Sequence, residues 1–108
     1  MAITRDFNEI VQERALRDVA FREGLLRESV ESMLAGDTNT GKTLLMDYIN
    51  AAIGFEGLGR LVHKSPESLM KMCSPDGNPT ADDLFAIIHA LQQKEGLHFQ
   101  VQAVRHSA

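Results

Sequence analysis

The chain has 108 residues, of which 44% are hydrophobic and 24% charged, with a formal net charge of −4. This hydrophobic share excludes a disordered chain, and the length suits one small domain with a modest core. A single cysteine cannot form an internal disulfide, no apolar stretch approaches the roughly 18–20 residues that cross a bilayer, and the N-terminus lacks the apolar segment of a signal peptide, so we expect a soluble cytoplasmic protein.

Two amphipathic helices are predicted first. Apolar residues at helical spacing among charged ones indicate a helix over Asp6–Arg17, and Asp18 is placed to cap the next helix. Gly36 should end that second helix. Its apolar stripe is formed by Phe21, Leu25, Leu26, Val30, Met33 and Leu34. Together the pair predicts a hairpin that covers a partner or the next domain.

Three further helices should follow a turn over Asp37–Gly41. The third helix is predicted from Lys42 to Ile53 and is ended by Gly54, and the fourth spans Phe55–Val62. The fifth spans Pro66–Cys73, because Ser65 is a capping residue and proline is favoured at the first helical position.

The sixth helix and a strand complete the predicted elements. Thr80 and the acids after it favour a helix start, and the helix should run to about Leu91. Its buried stripe is expected to contain Leu84, Phe85, Ile87, Ile88 and Leu91. After Gly96 the apolar period changes from 3.6 to 2, which predicts a strand over Leu97–Val104.

That strand has no second strand in the sequence with which to pair. Unpaired strand edges are unfavourable, so we expect it to pair with a second copy of the chain about a two-fold axis. The residues that would form this homodimer contact are Leu97, Phe99 and Val101. The alternative is a frayed tail.

One string matches the phosphate-binding pattern G-x-x-x-x-G-K-[ST] at every position. It is Gly36-Asp37-Thr38-Asn39-Thr40-Gly41-Lys42-Thr43. A phosphate loop needs a buried strand before it, whereas the preceding residues have helical periodicity, and no apolar run ending in Asp follows. The pattern therefore favours a turn between two helices, in which Thr40 or Asn39 caps the second. Nucleotide hydrolysis is kept only as a third possibility.

The fourth and fifth helices have the spacing of a helix-turn-helix. Such a motif needs two short helices, a tight turn and a small residue where they approach each other. Gly59 supplies the small residue, and Leu58, Val62 and Leu69 are the expected buried triplet.

At these residues the sequence resembles the λ-repressor-like (XRE-type) helix-turn-helix family, over about half of the chain. It is more closely similar to bacterial addiction-module antidote (antitoxin-like) regulators. The strings that carry this likeness are Asp47-Tyr48-Ile49-Asn50-Ala51-Ala52-Ile53-Gly54-Phe55, Lys64-Ser65-Pro66-Glu67-Ser68-Leu69-Met70 and Gly77-Asn78-Pro79-Thr80. The resemblance implies an all-α fold whose helix-turn-helix domain spans residues 37–96. An N-terminal helical hairpin (1–36) precedes it, and a short C-terminal dimerisation strand with a tail (97–108) follows.

Two residues depart from the family pattern. His63 stands where the family usually has glycine at the turn, which predicts a strained or reshaped backbone there. Glu67 lies on the presumed recognition helix, where an acid repels phosphate but can accept a hydrogen bond from cytosine.

The resemblance also implies a DNA-binding site at the N-terminal end of the fifth helix, which would enter the major groove. Its residues would be Arg60, Lys64, Ser65, Glu67, Ser68 and Lys71. We expect a transcriptional regulator that binds a two-fold operator as a homodimer. The alternative is an antitoxin-like protein that neutralises a toxin-like partner, with DNA binding secondary or lost; the acidic balance and the N-terminal hairpin favour it.

No enzyme is predicted. His63, His89, His98 and His106 share no metal-ligand spacing with each other or with Cys73, and no catalytic arrangement is indicated. We therefore expect no catalytic residue, no metal and no cofactor.

Overall fold

Six α-helices form the regular structure of residues 7–107, the part of the chain that the computed structural model describes. They are α1 (Phe7–Arg17), α2 (Val19–Leu34), α3 (Thr38–Ala52), α4 (Gly54–Val62), α5 (Pro66–Cys73) and α6 (Ala81–Glu95). The predicted all-α class is confirmed. The predicted first residue of the first helix, Asp6, lies outside the described residues.

Side-chain caps fix where the helices begin. Asp18, Ser65 and Thr80 cap α2, α5 and α6 as predicted, each accepting a backbone N–H at 3.1–3.2 Å. The predicted turn over Asp37–Gly41 was too long. Asp37 itself caps α3 by accepting the Thr40 backbone N–H at 3.2 Å, so that helix begins at Thr38 rather than Lys42. Such a cap typically stabilises a helix by about 1 kcal/mol.

Glycines with left-handed backbones follow two of the helices. Gly36 (φ 88°) and Gly96 (φ 73°) lie just after α2 and α6, in the region that glycine adopts without a steric penalty. Because α6 ends only at Gly96, the helix runs to Glu95 and extends beyond its predicted end at Leu91.

One hydrophobic core joins helices α2 to α6, with α2 lying along α3 as the most extensive helix pair. The fully buried side chains of this core are Leu26, Leu45, Tyr48, Ile49, Leu58, Leu69, Ile87 and Leu91. Two predicted core positions were wrong: Leu34 and Phe85 are exposed. Phe85 is two residues from Ile87, and at 100° per residue it faces the opposite side of the helix. Leu34 is the last residue of α2.

A polar cluster ties three helices together inside this core. The Glu95 carboxylate at the end of α6 is 4% exposed and accepts hydrogen bonds from Arg22 of α2 at 2.5 Å and the Tyr48 hydroxyl of α3 at 2.6 Å. Burial alone would raise the pKa of Glu95, but these two hydrogen bonds and the Arg22 charge outweigh it and hold that pKa below its ordinary value. Burial and the hydrogen bond to Glu95 raise the pKa of Tyr48. Sequence reasoning did not predict this cluster.

The predicted C-terminal strand is not formed, and residues 97–107 contain neither helix nor strand. A strand ladder needs a second extended segment, and residues 7–107 provide none. The segment is attached at its start, where the Phe99 backbone N–H donates to Gln92 Oε1 at 2.8 Å. Leu97 and Phe99 are half-buried, Phe99 against the core, whereas Val101 is exposed.

Candidate functional site

Helices α4 and α5 form a tightly joined pair. Leu58 and Leu69 are fully buried between them and the core, as predicted, and Val62 is half-buried. Gly59 allows the close approach, because a Cβ atom there would lie 2.5 Å from the Lys64 carbonyl oxygen. Any larger residue at this position would push α5 away from α4.

The connection between the two helices turns at His63. Its backbone is left-handed (φ 58°, ψ 47°), and the following N–H, of Lys64, donates to the Gly59 carbonyl at 3.1 Å. For a residue with a Cβ atom this conformation costs roughly 1–2 kcal/mol. The strain predicted from histidine at a glycine position is therefore present, and the turn keeps the backbone conformation that glycine favours.

Four of the six residues predicted for binding line two shallow depressions beside α5. Arg60 and Lys64 line one shallow depression together with Pro66, whereas Ser68 and Lys71 line another that the 74–79 turn completes. Ser65 lies at the start of α5, and its hydroxyl oxygen accepts a hydrogen bond from the Ser68 backbone N–H. Arg60, Ser65, Glu67 and Lys71 are exposed, while Lys64 and Ser68 are half-buried.

Each basic side chain of this surface has an acid nearby. Lys64 Nζ lies 3.2 Å from Asp83 Oδ1 of α6, Glu56 lines the Arg60 depression, and Asp76 lines the Lys71 depression. The surface is consequently close to neutral rather than strongly basic. Sequence reasoning missed Asp76 and Asp83, because neither belongs to α4 or α5 and no spacing rule connects residues across separate helices.

Lys42 fixes the turn that follows α5. Its ammonium donates to the Gly77 carbonyl at 2.7 Å and the Pro75 carbonyl at 3.4 Å, and the residue is buried in the first turns of α3. The string from Gly36 to Thr43 is therefore a helix–helix junction, as predicted, although Asp37 caps it instead of Thr40 or Asn39. The ammonium of the lysine that fits the phosphate-binding pattern is therefore hydrogen-bonded to backbone carbonyls.

The remaining reactive groups are few. Cys73 ends α5 with its thiol buried, and burial raises the pKa of that thiol to about 11, so it is protonated at neutral pH. Within residues 7–107, no three His, Cys, Asp or Glu side chains cluster closely enough to hold a metal ion. None of the helices described above combines the length and apolar character needed to cross a membrane.

Comparisons of the chain with protein-family models, with curated proteins and with solved structures found no match. What the α5 surface can bind follows from its own chemical groups. It offers a guanidinium, two ammonium groups, hydroxyls and a carboxylate. These are donors and acceptors suited to phosphate oxygens and base edges.

Proposed function

We propose that this chain is a sequence-specific DNA-binding regulator in which α4 and α5 form a helix-turn-helix and α5 enters the major groove. The observation that carries the proposal is which side chains of α5 are buried against the core and which are exposed. Leu69 and Cys73 face inward, while Glu67, Met70 and Lys71 form one exposed face at positions i, i+3 and i+4. Major-groove recognition requires a helix with one anchored face and one face free to contact base edges.

The exposed groups have complementary roles. Lys71 can donate to guanine or to a phosphate, Glu67 can accept from the cytosine amino group, and Met70 can contact a thymine methyl group. Arg60 and Lys64 flank the helix and would contact the DNA backbone, which sets register without reading sequence. Ser65 and Ser68 can add hydrogen bonds at the same end of α5.

We further propose that two copies bind a two-fold operator, which would place two α5 helices about 34 Å apart. Each copy offers three bases to phosphate, namely Arg60, Lys64 and Lys71. With a slope of about −0.9 per neutralised phosphate, full use of all three in both copies gives a logarithmic salt slope of about −5. The neighbouring acids make this an upper limit.

Fluorescence anisotropy with DNA from upstream of the protein's own gene, between 50 and 200 mM salt, tests the proposal. We expect Lys71→Gln to weaken binding and to reduce the salt slope by about 0.9 per protomer. Lys94→Gln is the matched control, because Lys94 is an exposed base in the last turn of α6. Absence of binding at the lowest salt would contradict the proposed function.

Exposed apolar side chains on the N-terminal helices favour a second candidate, an antitoxin-like protein that neutralises a partner. Leu16 of α1 and Val19 of α2 are both exposed on either side of Asp18, on helices that pack against α3. If a short gene adjacent to this one encodes a basic toxin-like protein that binds this surface, Leu16→Glu should abolish co-purification of the two proteins while DNA binding persists. Unchanged co-purification would argue against this surface.

A further inference from the structure

A shallow apolar groove lies between the C-terminal half of α2 and residues 99–104. It has a volume of about 350 Å³ and is lined by Val30 and Leu34 on one side and by Phe99, Val101 and Val104 on the other. Arg27 and Glu31 stand at its edge as an ion pair with 3.3 Å between Nε and Oε1. The proposed DNA-binding residues take no part in this groove.

The chain segment that forms one wall has unused backbone hydrogen-bonding groups. The Leu97 and Phe99 N–H groups donate to the backbone and side chain of Gln92, respectively. From Gln100 to Ser107, no backbone group is hydrogen-bonded to another described residue. A row of unpaired donors and acceptors is a template for pairing with another extended segment.

We infer that the groove receives residues 99–104 of a second copy of this chain. The two segments pair antiparallel about a two-fold axis, and the valines of each copy pack against α2 of the other. The inference rests on the proposed homodimer and names its interface, which includes α2 as well as the C-terminal segment.

The exposure of the walls favours a chain over a small molecule. Leu34, Val101 and Val104 are 68%, 82% and 79% exposed. A small-molecule site typically buries 70–90% of its ligand, which walls this open cannot do. A chain segment gains in addition the backbone hydrogen bonds that this edge leaves unmade.

Charge complementarity at the groove edge favours a second copy as the occupant. The segment Leu97–Val104 contains no Asp, Glu, Lys or Arg, so pairing it with itself brings no like charges together. At the groove edge each copy presents one base, Arg27, and one acid, Glu31, so a two-fold axis can place opposite charges against each other.

Sedimentation equilibrium without DNA tests the interface. We expect the wild-type chain to sediment at twice its 12.0 kDa mass, and Leu34→Glu and Val104→Glu each to weaken self-association at least about tenfold by burying an unpaired charge. Leu61→Glu is the control, since it places the same charge on an exposed leucine of α4 that does not line the groove. A wild-type monomer at millimolar concentration, or a dimer that tolerates both groove variants, would overturn the inference.

Two neighbouring proline variants test the backbone pairing separately. In an antiparallel pair, successive residues alternate between directing their N–H to the partner and away from it. Val101→Pro and Gln102→Pro should therefore differ, with only one of them strongly weakening the dimer. Equal effects would show that no ladder forms.

The outcomes for dimer and DNA are distinguishable. A groove variant that is monomeric yet binds a half-site supports both proposals. A wild-type dimer that the groove variants dissociate, but that binds no DNA, refutes only the DNA-binding function. A wild-type protein that is monomeric without DNA and still binds DNA refutes the interface and leaves DNA binding itself standing.

Discussion

Glu95→Gln replaces a buried carboxylate with an amide of nearly the same shape. The substitution removes the charge that Arg22 faces at 2.5 Å, while the amide oxygen can still accept from the Tyr48 hydroxyl. Any loss of stability therefore reports mainly on the ion pair.

The magnitude follows from the burial of the two partners. Removing one member of a buried pair usually costs about 3–5 kcal/mol, because the other charge stays desolvated. Arg22 keeps 19% of its side chain exposed, so water can partly replace the lost partner and we expect the lower end, about 3 kcal/mol. At about 5 °C per kcal/mol for a domain of this size, Tm should fall by roughly 15 °C.

The pH dependence supplies an independent signature. Because the pKa of Glu95 is lowered in the folded state, its stabilising contribution is complete above the unfolded-state value near 4.3 and is lost as pH falls through the folded value. Urea unfolding at pH 7 should show the full gap between wild type and Glu95→Gln. The gap should narrow steadily below about pH 4.3.

Glu28→Gln is the matched control, since Glu28 is an exposed glutamate of α2. It should shift stability by less than about 0.5 kcal/mol. A gap between wild type and Glu95→Gln that stays constant from pH 7 to pH 3 would refute the ion-pair reasoning.

Three further substitutions test the α4–α5 region. His63→Gly should raise the free energy of unfolding by about 0.5–1 kcal/mol in urea, because relief of left-handed strain exceeds the added flexibility of the unfolded chain. Gly59→Ala should lower it by about 1–3 kcal/mol, since the new Cβ atom would meet the Lys64 carbonyl oxygen at 2.5 Å. If the proposed DNA binding is correct, Asp83→Asn should release Lys64 and steepen the salt slope of binding by about 0.9 per protomer, measured by anisotropy.

Each of these has its own contradicting result. His63→Ala keeps the Cβ atom and should give no comparable gain, so equal stabilisation by both variants would mean that strain is not the cause. An unchanged free energy of unfolding for Gly59→Ala would mean that α5 can shift to accommodate the new Cβ atom without destabilising the protein. For Asp83→Asn the control is Asp82→Asn, which removes an exposed neighbouring acid, and equal steepening by both would assign the effect to net charge alone.

Local signals in the sequence predicted local structure well. Ser65 and Pro66 located the start of α5 to the residue, and Gly59 identified the close approach of the two helices. Asp37 was missed as a cap because several capping residues follow one another in that turn, and only the backbone geometry selects among them. The strand over Leu97–Val104 was predicted from alternation together with pairing to a second copy, and no strand forms within residues 7–107, which supply no partner segment.

Contacts between distant residues left no signal in the sequence. Arg22 and Glu95 are separated by most of the chain, and the pairing of Lys64 with Asp83 depends on how α6 crosses the end of α4. Such pairs depend on the packing of whole helices and not on spacing. The polar residues of the α5 surface could be predicted because they lie on or beside one short helix, but Asp76 and Asp83, which lie outside α4 and α5, could not.

Lys42 joins two parts of the chain that are far apart in sequence. Its buried ammonium donates to the Pro75 and Gly77 carbonyls, which lie 33 and 35 residues further along the chain. Because an unpaired buried carbonyl is costly, removal of this one side chain would destabilise the 74–79 turn as well as the start of α3. A change at Lys42 would therefore alter the surface beside Lys71, although the two lysines lie in different helices.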